Sequence, residues 1–140
     1  RGMDLADGVY IGRNSIVYTK NGDIELAEKV NVSANCELFS GNKLVIGRGT
    51  VIAAYTYLLS GGEYDYASLT PLAEQAGNVT RGQTKVGANV WLAAHVVVAD
   101  GSEIGDNSVI GAGAVVRGPI PADSLAAGVP ARVVRALERK

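Results

Sequence analysis

Aliphatic residues recur every six positions along this chain. From Val86 the sequence divides as VGANVW, LAAHVV, VADGSE, IGDNSV, IGAGAV and VRGPIP, so that Val86, Leu92, Val98, Ile104, Ile110 and Val116 each open a block. The second place is usually Gly or Ala, and the fifth is small or β-branched. The same beat opens blocks at Ile46 and Ile52, with Leu58 next, and at Leu26 and Val32, with Leu38 next. It begins at Ile11 and Val17. A helix repeats its apolar face at about 3.6 residues and a half-buried strand at 2. Six fits a short strand plus a corner, three times per turn of a coil, with the aliphatic residue inward and small neighbours easing the corner. Coils of this kind pair their strands in parallel and pile the aliphatics into columns. At roughly 0.8 kcal/mol per buried CH₂, each Val or Ile contributes on the order of 2 kcal/mol before entropy is subtracted.

The beat stops once. Between Leu58 and Val86 lies a stretch that opens LLSGGEYDYASL, where the pattern expects a single block. Insertions longer than about 12–15 residues in a compact domain are usually functional or disordered. Four of the six tyrosines, Tyr55, Tyr57, Tyr64 and Tyr66, fall on its leading edge. Aromatic faces with hydroxyl handles suit a partly wet site for a sugar or another polyol.

Composition narrows the partners. The 140 residues are read as one domain over 1–140, with a loop over 59–85. A net charge of -1 and a pI near 5.8 argue against nucleic acid or an anionic membrane. The lone Cys36 rules out an internal disulfide and fits a reducing compartment. No apolar run approaches the roughly 20 residues of a membrane helix and no signal pattern opens the sequence, so a cytoplasmic location is expected. Eighteen glycines, with few prolines, indicate repeated tight corners rather than disorder.

The run IGDNSVIGAGAVV followed by AAGVPARVVR resembles the hexapeptide-repeat acyltransferases, in the branch of galactoside, maltose, xenobiotic and capsule O-acetyltransferases, over about residues 9–135. The resemblance implies an all-β fold: a left-handed parallel β-helix of about five coils with one extruded loop. A return segment over 123–134 and a short basic C-terminal helix would follow. It also implies a homotrimer with sites between subunits, acetyl-CoA as donor, no metal, and a sugar-like hydroxyl or amine as acceptor. The γ-class carbonic anhydrases share the fold but need three histidines, and this chain has one. A non-enzymatic trimeric scaffold is the alternative.

The resemblance places a catalytic histidine five residues after Leu58, where this chain has Glu63. Three readings stand. Glu63 is the general base, with burial or a carboxylate neighbour such as Asp65 raising its pKa, or with Asp65 as the base itself. Otherwise it orients an acceptor that needs little help, or catalysis is lost. The lone histidine, His95, sits at a corner of LAAHVV, as a surface residue or a substitute base. Ser33 holds the place of an oxyanion-steadying asparagine, with Asn35 two residues on. Tyr57, Tyr64, Tyr66 and Trp91 are the candidate acceptor contacts. Ala94 and Ala112 match the positions that line the pantetheine arm. Pro130 is the candidate for packing on the adenine, and Arg117, Arg132 and Arg135 for pairing phosphates. Arg139 and Lys140 read as a solvated helix end.

Overall fold

The computed structural model describes residues 2–138. The strands form three flat walls of a prism. The first wall holds β1 (Met3–Leu5), β4 (Asp23–Leu26), β7 (Lys43–Ile46), β10 (Thr84–Val86), β13 (Glu103–Ile104) and β16 (Pro119–Ile120), in that order. The second holds β2 (Tyr10–Ile11), β5 (Asn31–Val32), β8 (Val51–Ile52), β11 (Trp91–Leu92), β14 (Val109–Ile110), β17 (Ser124–Ala127) and β18 (Arg132–Ala136). The third holds β3 (Ile16–Thr19), β6 (Glu37–Ser40), β9 (Tyr57–Ser60), β12 (Val97–Val98) and β15 (Val115–Val116). Within each wall neighbouring strands are parallel, except that β18 runs antiparallel to β17.

The six-residue beat is the register of this prism. Leu26, Ile46, Val86 and Ile104 stack on the first wall, Val32, Ile52, Leu92 and Ile110 on the second, and Leu38, Leu58, Val98 and Val116 on the third. All are buried. The fifth places fill the corners, and several carry hydroxyls that stitch one coil to the next. Thr50 Oγ1 donates to the Gly87 carbonyl at 2.8 Å and accepts the Val90 amide, while Ser102 Oγ donates to the Val116 carbonyl at 3.0 Å. Among the described residues no buried side-chain polar atom lacks a hydrogen-bond partner.

Two expectations are corrected. The solenoid has about six turns rather than five, because β1 begins a wall before the beat is legible. Among the described residues the expected basic C-terminal helix is not found. Arg132–Ala136 is a strand, whose Val133 pairs with Ala126 and Arg135 with Leu125. Its β-branched pair, Val133 and Val134, favours extended backbone, and β17 offers an edge to bond. Arg139 and Lys140 lie outside the described residues.

Candidate functional site

The long insertion leaves the edge between the third and first walls, directly after β9. Its neck is closed by an antiparallel bridge in which Glu63 and Val79 exchange both backbone hydrogen bonds at 3.0 Å. A second tie comes from the coil. Asp100, in the corner between β12 and β13, is only 5% exposed. Its Oδ1 accepts the Gly61 amide and, at 2.9 Å, the Thr80 hydroxyl. Its Oδ2 accepts the Arg81 amide at 2.6 Å. Both roots of the loop therefore bond to one carboxylate.

Glu63 is half-buried and faces that carboxylate within hydrogen-bonding reach. Burial, then the hydrogen bond and the charge of Asp100, push the Glu63 carboxyl above its ordinary value, while Arg81 and Arg117 pull it back. The three donors hold the Asp100 carboxylate in one orientation towards Glu63. The expected carboxylate neighbour is thus Asp100 rather than Asp65. Asp65 is exposed and organises a turn of the loop: its Oδ1 accepts the Ala67 amide at 3.1 Å and its own amide donates to Gln75 Oε1 at 2.9 Å.

Tyr64 stands between two concavities. On one side, Glu63, Tyr64, Asp65, Tyr66 and Arg81 are among the residues lining a space of about 410 Å³. On the other, Tyr57, Tyr64, Tyr18, Phe39 and Lys20 line a cleft of about 240 Å³ that the loop roofs with Ala76 and Gly77. Tyr18 and Phe39 pack with ring centroids 4.9 Å apart. Burial, and secondarily Glu37 and Tyr18, raise the Tyr57 pKa, which keeps its phenol a hydrogen-bond donor. Gly62, at φ +80, is required here, because a Cβ would sit 2.7 Å from Phe39 Cε2.

The remaining candidates lie elsewhere on the chain. Ser33, Ala94, His95 and Ala112 occupy the edge between the second and third walls, a different corner of the prism from Glu63. His95 is exposed and stacks on Tyr55 with centroids 5.1 Å apart. Trp91 projects from the second wall, 53% exposed, in register with Val51 and Val109. Ala94 and Ala112 are small, the Gly113 amide donates to the Ala94 carbonyl at 2.9 Å, and a Cβ at Gly113 would meet nothing within 4 Å. Pro130, Arg132 and Arg135 are exposed at the C-terminal end, while Arg117 belongs to the loop's edge, close enough to act on Glu63.

Asp100 and Arg81 were missed from the sequence. Asp106 holds the same place in the next block and merely bonds a corner amide, that of Ala88, at 2.8 Å. The usable signal was arithmetic: with three blocks per turn, the corner after Val98 stacks directly on the corner after Leu58, where the insertion begins.

Comparison with known proteins agrees with the fold. Residues 83–118 match the family model described as bacterial transferase hexapeptide (six repeats). The galactoside O-acetyltransferase of Escherichia coli (strain K12) is 32% identical over 120 residues, covering 86% of this chain and 57% of that protein. The chain belongs to the hexapeptide-repeat transferase family. Its backbone superimposes on a galactoside acetyltransferase in complex with coenzyme A with a TM-score of 0.79, at 29% identity, over 98% of this chain and 65% of that one. A hexapeptide-repeat acetyltransferase from Vibrio cholerae complexed with acetyl coenzyme A gives 0.75 at 25% identity, over 95% and 73%. The prism is thus the left-handed parallel β-helix of this family. The chain spans 57% of the length of the curated galactoside enzyme.

Proposed function

We propose that this protein transfers an acetyl group from acetyl-CoA to a hydroxyl or amine of a sugar-like acceptor, with Glu63 receiving the acceptor's proton. The observation that carries the reading is the Glu63–Asp100 pair placed beside two tyrosine-lined concavities. A carboxyl whose pKa is raised above its ordinary value is a stronger general base once ionised. The relatives support the chemistry, being a galactoside O-acetyltransferase and structures with coenzyme A or acetyl-CoA bound. When bound, acetyl-CoA supplies an activated thioester. The chain's part is to hold the acceptor against Tyr57 and Tyr64 and to accept its proton at the Glu63 carboxylate. Ala94 and Ala112 line the pantetheine arm, with Arg117, Arg132 and Arg135 available to phosphates.

We infer a homotrimer for a geometric reason. Glu63 and the Ala94–Ala112 edge lie at different corners of one prism, so a complete site needs a neighbour's edge. The unpaired Cys36 thiol supports a cytoplasmic location. The test is release of free CoA from acetyl-CoA, followed with a thiol-reactive dye across a panel of sugars and amino sugars. Acceptor-dependent release is expected. Absence of CoA affinity at millimolar ligand overturns the reading in favour of a trimeric scaffold.

A further inference from the structure

Asp100 comes from the coil, not from the loop, yet it bonds to both roots of the loop that carries Glu63. It accepts from Gly61 on the outgoing strand side and from Thr80 and Arg81 on the return side. The corner around it is built for close approach: Gly101, at φ +79, lies where a Cβ would come within 2.8 Å of Arg81 Cβ. Around Glu63 the charged groups are Asp100, Arg81 and Arg117. Of these only Asp100 is buried, and only Asp100 is fixed by three donors to a single orientation.

We propose that Asp100 is a positioning residue for Glu63, clamping both loop roots to the coil and holding the Glu63 carboxyl against a fixed carboxylate at the mouth of the site. A proton on the Glu63 carboxyl is held against that carboxylate. Removal of that proton frees the Glu63 oxygen to accept another, and like-charge repulsion from the immobile Asp100 makes the ionised form a stronger base than an isolated glutamate. This rests on the proposed role of Glu63, but it is measurable without turnover.

The test is a ¹³C NMR titration of the side-chain carboxyls, with Glu63→Gln assigning the Glu63 signal. In the wild type, Glu63 is expected to titrate above the other glutamates, and the Asp100 carboxyl carbon to show an inflection at that same pH, which Glu63→Gln abolishes. Asp100→Asn retains an oxygen for Gly61 and Thr80, and is expected to move the Glu63 midpoint to lower pH. The acid limb of kcat/KM should move with it. Glu63 titrating with the exposed glutamates, no shared inflection in the wild type, or an unmoved midpoint in folded Asp100→Asn would each overturn the proposal. The wild-type measurements decide it even if Asp100→Asn does not fold. A normal coupled titration with no catalytic loss in Glu63→Gln would instead sink the proposed function alone.

Discussion

Glu63 is a carboxyl in a place where the family resemblance leads one to look for an imidazole, and its surroundings do part of the work of the change. A glutamate in open solvent is a weak base near neutrality; one set against Asp100 is stronger. Glu63→Gln keeps the shape and removes the proposed base, so turnover should fall by about 10²-fold or more, measured as acceptor-dependent CoA release. The proton also links to stability. Because the folded carboxyl holds its proton to higher pH than in the unfolded chain, the native state binds more protons in that window. Stability should therefore decline as pH rises from the ordinary glutamate range through the folded value. Glu63→Gln should lose that decline in thermal melts across pH. Gly62→Ala tests the backbone beside it. With φ at +80 and Phe39 in the way, the shift should lower kcat/KM by about tenfold to a hundredfold. The sequence showed Glu63, Tyr57 and Tyr64 but not Asp100, because an acidic residue at a corner looks the same whether it caps an amide, as Asp106 does, or anchors a loop.

At the level of elements, the strands were legible and the corners were not. Val86, Leu92, Val98, Ile104, Ile110 and Val116 all point inward as read, each closing a short strand at its inward-facing place. The last element was misread. Basic residues near a chain end suit a helix C-terminus, but Val133 and Val134 pair more favourably with an open edge on β17, and that tertiary bond decides. The insertion behaves as an element in its own right, closed by the Glu63–Val79 bridge. Replacing residues 65–77 with a short Gly-Ser linker should leave the coil folded, because doubling a loop changes closure entropy by only about 0.6 kcal/mol. Acceptor-dependent turnover should be lost, since Tyr66 and the roof of the Tyr57–Tyr64 cleft leave with it. Circular dichroism and the CoA assay read the two outcomes separately.

For the whole molecule, stability is a sum of nearest-neighbour coil contacts, and position along the axis sets how much each residue contributes. Leu92 is fully buried between coils, whereas Ile11, in the first coil and covered from one side, is 36% exposed. Leu92→Ala should cost about 2–5 kcal/mol and Ile11→Ala clearly less, a contrast that urea unfolding at fixed protein concentration can measure. The two-corner separation of the candidate residues was invisible in the linear order, where Ser33 and Glu63 simply flank β6 to β9. It becomes plain only when the beat is wound three to a turn.

The single carboxylate that fastens both ends of the insertion has an evolutionary corollary. With the two anchor points fused at one corner, the residues beyond the Glu63–Val79 bridge can be rewritten or exchanged without disturbing strand register anywhere in the coil. Under the proposed activity, preference for one recipient molecule over another can then drift as an interchangeable cartridge, while the surface along Ala94 and Ala112 stays as it is.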